Sequence, residues 1–349
     1  MSTCVFVPNA TTGTNTVLRS LVFGPKDVII YYSTIYDACE MTVLYLKETT
    51  QVQSHRIAVT YPISDDKICD AMVTAIKDIK AKDLVPRLAI FDTISANPGL
   101  RVPFERLTRI CREHDVLSLI DGAHSVGMLP LDMQELDSDF FISNCHKWMY
   151  VPRSCAFLYV PERNQPLIRS TLPTSFSFVP RLDGKAPEFD ALGFGRLFDT
   201  PGTTDSSSFV TVAAAIEWRK QVTWKDLKGE EAIRQYCVSQ AEEASKMLAR
   251  RLETEVLENQ SGIFLKNVRV PLDWQKDAGG DKKTADMIAI WIERTILYEY
   301  KSFMVVRTHA QKWWWRISAQ IYLTMEDWEK AADIMAEVCE KVKKGEWKS

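Results

Sequence analysis

The first half of the chain alternates short apolar runs with longer stretches in which apolar residues recur at helical spacing. The runs are hydrophobic at consecutive positions, which is typical of strands buried on both faces of a parallel sheet. The predicted strands are 28–32, 88–92, 117–121 and 140–143. Amphipathic helices are predicted between them at 67–82 and 102–114. This βαβ rhythm predicts an α/β fold with a large, doubly wound, mainly parallel sheet, in which ligands bind at the carboxyl ends of the strands.

In the second half of the chain, the hydrophobic pattern first becomes irregular and then regains helical spacing. Residues 167–205 contain four prolines and several Ser and Thr, which predicts long loops. Beyond them the pattern predicts helices at 208–221, 229–255, 284–300 and 325–344, with strands at 263–271, 304–307 and 313–318. We therefore predict a large α/β domain at 1–225 and a small C-terminal α+β domain at 226–349.

Composition and charge exclude several classes of function. The 349 residues carry 43 Lys+Arg and 46 Asp+Glu, so the net charge of −3 provides no basic field for nucleic acid or an anionic membrane. Eight cysteines form no C-x-x-C pair and no His stands at metal-ligand spacing beside them, so no metal site is predicted. With no export signal and no bilayer-length apolar run, we expect a cytoplasmic protein with reduced thiols.

The first candidate for chemistry is Asn-Ala-Thr-Thr-Gly-Thr-Asn at 9–15, directly before a helical pattern. Hydroxyls and a glycine at the start of a helix suit a phosphate group, because free amides and the helix dipole both favour an anion there. The alternative is that Thr11 or Thr12 only caps the helix.

The second candidate is Asp121, at the end of a predicted strand, with His124 three residues later. A carboxylate in such a crevice can stabilise the protonated ring nitrogen of a cofactor. The alternative is a helix-capping Asp with a structural His.

The third candidate is Lys147, which follows another predicted strand and is flanked by His146 and Trp148. A lysine in a partly dry site beside an aromatic ring can act as a nucleophile and form a Schiff base with an aldehyde. The alternative is a surface lysine whose stem lies over Trp148. Together, the three segments supply what pyridoxal 5'-phosphate (PLP) needs: a phosphate site, an acid for the pyridine nitrogen and an amine for the aldehyde.

The motifs at 9–15, Asp-Gly-Ala-His-Ser-Val-Gly at 121–127 and Asn-Cys-His-Lys-Trp at 144–148 resemble those of the class V aminotransferase family. The resemblance is specifically to its isopenicillin N epimerase-like branch, which includes fungal hercynylcysteine sulfoxide lyases. It extends over nearly the whole chain. It implies the type I fold of PLP-dependent transferases, PLP as cofactor and a homodimer with shared active sites.

The resemblance also implies roles for individual residues. Lys147 would hold PLP as a Schiff base and shuttle the substrate α-proton, Asp121 would pair with the pyridine nitrogen, and His124 would lie near the ring hydroxyl. Further cofactor contacts implied in this way are Ala10, Thr11, Thr12, His146, Tyr36 over the ring, and Thr203 from the neighbouring subunit. Arg316 is the candidate for the substrate carboxylate, with a strand-edge Arg stacked on Trp residues as the alternative.

Two features depart from the family pattern. Relatives carry a long segment before the Asn-Ala-Thr-Thr motif, which here begins nine residues from Met1, and the expectation is a more open pocket. Relatives also usually place a His directly after the Asp that stands here at position 92, where this chain has Thr93.

The predicted reaction is PLP-dependent chemistry at Cα or Cβ of an amino acid, most simply C–S lysis by α,β-elimination. The alternatives are an epimerase, another class V aminotransferase of secondary metabolism, and a catalytically silent PLP-binding protein. A cysteine desulfurase is disfavoured because Cys237 and Cys339 fall in predicted helices, whereas that reaction needs a mobile nucleophilic Cys. A nucleotide-binding protein is disfavoured because no G-x-G-x-x-G or P-loop motif is present. Substrate choice is expected to depend on loops such as 172–200.

Overall fold

A computed structural model describes residues 3–175, 177–178, 180, 193–258 and 262–348. Residues 181–192, in the middle of the loop expected to govern substrate choice, lie outside the described residues. The chain divides into two compact units. The first comprises residues 1–59, 65–94 and 102–219, and the second comprises 60–64, 95–101 and 220–349. The predicted single division at 225/226 lies six residues after the last segment of the first unit.

The first unit is built on a seven-stranded sheet in the order β1-β7-β6-β5-β4-β2-β3. The strands are β1 (Cys4–Val7), β2 (Asp27–Tyr32), β3 (Gln53–Ile57), β4 (Val85–Asp92), β5 (Leu117–Asp121), β6 (Phe140–Asn144) and β7 (Ala156–Tyr159). Strands β2 to β6 run parallel, and β7 is antiparallel to both β6 and β1. The predicted α/β fold with a mainly parallel sheet is confirmed, and its carboxyl-end edge collects the residues that follow β4, β5 and β6.

Helices flank this sheet and bury their apolar faces against it. They are α1 (Ala10–Ser20), α2 (Asp37–Thr49), α3 (Asp65–Ala81), α4 (Phe104–Glu113), α5 (Met133–Leu136), α6 (Cys145–Trp148), α7 (Arg196–Asp199) and α8 (Ser207–Arg219), with a 3₁₀ helix at Glu162–Leu167. In α1, for example, Val17 and Leu18 are fully buried in the same apolar cluster as Ile142 of β6. Burial of this kind, more than helix propensity, fixes where such helices lie.

The second unit is a small α+β assembly. Its three-stranded antiparallel sheet has the order β10-β12-β11, and a two-stranded ribbon pairs β8 with β9. Its elements are β8 (Thr223–Trp224), β9 (Leu227–Lys228), α9 (Glu230–Arg251), β10 (Leu265–Arg269), α10 (Trp274–Ala278), α11 (Lys282–Glu299), β11 (Val305–His309), β12 (Lys312–Ser318), α12 (Met325–Lys343) and a final 3₁₀ turn at Glu346–Lys348. Trp313 and Trp315 of β12 fill its core. In the described parts of both units, no helix combines the length and apolar character that crossing a membrane requires.

Candidate active site

Two buried carboxyl groups lie side by side at the carboxyl-end edge of the parallel sheet. Asp92 ends β4, Asp121 ends β5, and the two residues are register partners on neighbouring strands. Both are buried, with 8% and 4% of their surfaces exposed. Burial raises the pKa of Asp92 well above its usual range, and the charge of Asp121 adds to that rise, whereas Lys147 opposes it. Two acids this close are stable together when one of them keeps its proton or a cation joins them.

The carboxylate of Asp121 is held by two donors. Its Oδ1 accepts a hydrogen bond from the Ala123 amide at 2.9 Å, and its Oδ2 accepts one from the Cys39 thiol at 3.5 Å. Burial, and then the charge of Asp121, raise the pKa of Cys39 well above its usual range, so this thiol remains a donor. The adjacent turn is tightly packed, because a Cβ on Gly122 would lie 2.5 Å from the ring of Phe141. The predicted cofactor acid therefore has a fixed orientation.

The amine of Lys147 meets the imidazole of His124 at the same edge. Helix α6 begins directly after β6, and this places Lys147 Nζ 3.1 Å from His124 Nε2. On the other side of the ring, the indole Nε1–H of Trp148 donates to His124 Nδ1 at 3.2 Å. His124 is 7% exposed and Trp148 3% exposed. The second and third predicted motifs thus come together through a direct contact between side chains.

The first motif forms the start of α1. Asn9 is the N-cap, and its Oδ1 accepts from the amide of Thr12 at 2.8 Å. The alternative that Thr11 or Thr12 caps the helix is therefore wrong, since both lie inside its first turn and the side chain of Asn9 accepts from the free amide. The amide of Ala10 donates to Asn144 Oδ1, at the end of β6, at 2.9 Å. The helix start is thereby joined to the strand that leads to Lys147.

The imidazole of His146 is fixed by the backbone of β7. Its Nδ1 lies 2.7 Å from the carbonyl oxygen of Cys155 and 3.2 Å from the amide nitrogen of that residue. Burial lowers the pKa of His146, and the charge of Arg153 lowers it further. The ring is therefore neutral at neutral pH and only half-buried, with Nε2 on the side away from β7.

Two predicted cofactor residues lie at the surface of the first unit. Tyr36 is the N-cap of α2 and is 49% exposed, and Thr203 is exposed in the segment before α8. The structure of one chain does not bring either of them to the Lys147–His124 contact by any hydrogen bond of the described residues.

The guanidinium of Arg316 lies in the second unit, on β12. Its Nη1 donates to the carbonyl of Ala96 at 2.6 Å, while its buried Nε has no hydrogen-bond partner. Burial lowers its pKa to about 10, so the group remains charged at neutral pH. The segment 95–101 is tied to β10, because Asn267 exchanges hydrogen bonds with both the amide and the carbonyl of Gly99. A fixed, charged guanidinium with an unused N–H suits an anion.

Comparison with known proteins identifies the family. A model of the family described as aminotransferase class V matches residues 1–269. The chain belongs to the class V aminotransferase family. It is 35% identical to an L-cysteine desulfhydrase-like protein, lolT2, of Epichloe uncinata, over 98% of this chain and 79% of that one. It is 27% identical to a hercynylcysteine sulfoxide lyase of Schizosaccharomyces pombe, over 97% of this chain and 80% of that one.

A solved structure confirms the fold of this class V chain. The structure is a complex between the cystine C–S lyase C-DES and its product cysteine persulfide, with a TM-score of 0.73. It is 19% identical, and the match covers 96% of this chain and 81% of the other. The predictions of the family, of the PLP-dependent transferase fold and of a PLP-dependent enzyme are therefore confirmed.

The residues of this class V chain fit the cofactor on chemical grounds. A protonated ring nitrogen beside Asp121 would supply the positive charge that the buried pair of acids calls for. Lys147 presents an amine for the aldehyde. The start of α1 offers backbone N–H and threonine O–H donors for a phosphate group.

Sequence reasoning missed three residues that shape this site. Asp92 was noted only as part of a departure from the family pattern, although its place at the end of a buried strand matches that of Asp121 and was a sufficient signal. Cys39 and Asn144 carry no such signal, because their contacts join segments that are distant in sequence. Only the folded structure could identify them.

Proposed function

We propose that this class V aminotransferase-family enzyme is a PLP-dependent C–S lyase that performs α,β-elimination on a cysteine-type amino acid. The observation that carries the proposal is the contact of Lys147 Nζ with His124 Nε2 at the sheet edge that also holds Asp92 and Asp121. An oriented amine for an aldehyde and a buried, oriented acid for a ring nitrogen are the two requirements of PLP chemistry.

Each residue has a defined task in this proposal. Lys147 would hold PLP covalently, Asp121 would face its ring nitrogen, and the phosphate would lie among Ala10, Thr11, Thr12 and His146. When bound, PLP supplies an electron sink that stabilises negative charge on the substrate Cα. Tyr36 over the ring and Thr203 from a second subunit remain proposals that follow from the family resemblance.

In this proposal, side chains of the protein itself carry out the proton transfer. Uncharged Lys147 Nζ accepts the proton from the substrate Cα, and His124 Nε2, 3.1 Å away, keeps that amine oriented. Arg316, with its unused Nε–H and its full charge, is the proposed partner of the substrate carboxylate. Release of the β-sulfur group completes the elimination and leaves an enamine that hydrolyses to an oxo acid and ammonia.

The cysteines favour a lyase over a cysteine desulfurase. A desulfurase needs a mobile, accessible cysteine to receive the sulfur. Seven of the eight cysteines are buried, and the exposed one, Cys4, lies in β1. Cys237 and Cys339 lie in α9 and α12, as predicted, and burial raises the pKa of Cys339 to about 12. The names of the two relatives, a desulfhydrase-like protein and a sulfoxide lyase, point to the same C–S lyase chemistry.

A homodimer is part of the proposal, and exposed apolar side chains support it. Val210 and Trp218 of α8 are 78% and 45% exposed, and Met41 and Tyr45 of α2 are 55% and 46% exposed. Apolar side chains exposed on two helices of one unit are typical of a surface that a partner covers. Sedimentation equilibrium of the full chain tests this part separately from the chemistry.

The experiment that tests the function is a visible spectrum of the purified chain with PLP, before and after borohydride, with peptide mapping of the reduced adduct. We expect an adduct on Lys147 and release of pyruvate and sulfide from L-cysteine. Lys147→Ala should abolish both, whereas Lys82→Ala, at an exposed site, should change neither. Turnover that persists in Lys147→Ala would contradict the proposal. Exchange of the α-proton for deuterium in heavy water without pyruvate would indicate an epimerase instead.

A further inference from the structure

Trp148 makes a hydrogen bond that determines which nitrogen of His124 carries the proton. The indole Nε1–H can only donate, and it points at His124 Nδ1 at 3.2 Å. Nδ1 must therefore present its lone pair. In a neutral imidazole the proton then lies on Nε2.

The tautomer of His124 in turn determines the charge of Lys147. The Nε2–H faces Lys147 Nζ at 3.1 Å, and a donor in that position needs a lone pair to receive it. An ammonium group has no lone pair, so only the uncharged amine satisfies the contact. We propose that Trp148 is a positioning residue that fixes the tautomer of His124 and thereby keeps the Lys147 amine uncharged. This inference rests on the proposed function, in which Lys147 attacks an aldehyde and later accepts a proton.

The backbone around Trp148 is built to hold the indole in place. Gly127, at φ +82°, lies so close that a Cβ there would be 2.4 Å from the Trp148 carbonyl oxygen. Arg219 is fully buried, and its guanidinium donates to the carbonyls of Trp148 at 2.6 Å and of Gly127 at 3.1 Å. A buried charge is retained only where such partners compensate for its lost hydration. The backbone of Trp148 is thus held in place independently of the His124 contact.

The charged and titratable groups around Lys147 come from several elements. Asp92 of β4 interacts with Lys147 electrostatically, and burial raises the pKa of Asp92, which weakens its preference for a positive charge on the amine. Asp121 of β5 favours a charged amine, and Cys39 of α2 remains a neutral thiol. His146, on the same helix as Lys147, is neutral. Trp148 and His124 therefore act on the Lys147 amine in the opposite sense to the carboxyl groups of Asp92 and Asp121.

The test is the pH dependence of Lys147 acetylation by acetic anhydride in the full chain without cofactor. Only an uncharged amine reacts with the anhydride, so the midpoint of the pH profile reports the pH at which Lys147 loses its charge. Peptide mass spectrometry follows Lys147, and exposed Lys82 serves as the internal reference. Trp148→Phe keeps an aromatic ring but removes the N–H. The proton of His124 can then move to Nδ1, and Nε2 can accept from a charged Lys147. We expect the midpoint pH of Lys147 acetylation to rise by about 0.5 to 1 unit, as for the loss of one hydrogen bond.

The matched control is Trp328→Phe, a second buried tryptophan whose indole nitrogen has no hydrogen-bond partner. It should leave the Lys147 midpoint unchanged. An unchanged midpoint in Trp148→Phe, or an equal shift in both variants, would overturn the inference.

A second variant keeps the inference testable if Trp148→Phe does not fold. His124→Gln retains an acceptor for Trp148 and a donor for Lys147, so the midpoint should stay near the wild-type value. His124→Glu offers Lys147 an acceptor instead, and the midpoint should rise by more than one unit. The reverse order of these two variants would overturn the inference. A wild-type chain that forms no adduct with PLP would overturn the proposed function but would leave the acetylation result standing.

Discussion

The two ends of the parallel sheet in the first unit differ in how their charged side chains are arranged. At the amino ends of β5 and β6, Arg163 pairs with Asp137 at 2.6 Å and with Asp139 at 3.5 Å, and Arg112 pairs with Asp137 at 3.0 Å. These residues line a polar cavity of about 410 Å³. Opposite charges neutralise one another there, and exposed pairs of this kind each contribute roughly 0–1 kcal/mol to stability.

At the carboxyl ends of β4 and β5, two acidic side chains lie together instead. Asp92 and Asp121 are register partners, both buried, and the pKa of Asp92 is raised. Such an arrangement lowers the stability of the folded chain, and arrangements of this kind cluster at functional sites. Ion pairs at the amino end stabilise the fold, whereas the buried acids at the carboxyl end are suited to the proposed chemistry.

The largest expected effect comes from the same substitution made at the two ends. Asp121→Asn removes the charge that we propose faces the cofactor, and we expect kcat for elimination of sulfide from cysteine to fall at least about a hundredfold. Asp139→Asn should lower the thermal midpoint but keep the kcat of the folded enzyme, because the partners of Asp139 are Ser118, Asn164 and Arg163 at the amino end of the sheet. Steady-state kinetics with an active-site titration separate the two effects. Equal losses of kcat would remove the distinction between the two ends.

The next effect concerns the backbone that shapes the carboxyl end. Gly127→Ala places a Cβ 2.4 Å from the Trp148 carbonyl at a positive φ, so we expect the free energy of unfolding to fall by about 2–4 kcal/mol. Denaturant unfolding of the full chain measures it. Gly195→Ala is the matched control, because its Cβ meets nothing within 4 Å and its φ of −55° suits alanine. A loss under 1 kcal/mol in Gly127→Ala would mean that the turn is loosely packed.

The same contrast explains what could be predicted from the sequence. Strand runs such as Leu117–Asp121 and helices such as Met325–Lys343 follow from local patterns of apolar residues, and the structure confirms both. The placement of Asp121 and Lys147 at one edge follows from the rule that parallel strands end together.

Contacts between distant segments could not be predicted. No local pattern shows that Asn9, rather than a threonine, caps α1, or that the indole of Trp148 reaches His124 across 24 residues. The interruption of the first unit by residues 60–64 and 95–101 is equally invisible, because it depends on packing rather than on periodicity. Tertiary packing decides such details after the local elements have formed.

The last effect is a pH dependence of stability at the carboxyl end. Because folding raises the pKa of Asp92, the folded chain keeps a proton that the unfolded chain loses above about pH 4. The free energy of unfolding contributed by this group therefore falls as pH rises between about 4 and the raised pKa, by at most about 1.4 kcal/mol per pH unit. Asp92→Asn removes this titrating group. The thermal midpoint of the variant, minus that of the wild-type chain, should therefore increase as pH rises from 5 to 8, measured without cofactor. A constant difference across that range would show that Asp92 is ionised in the folded chain. The two ends of the sheet would then differ in geometry but not in protonation.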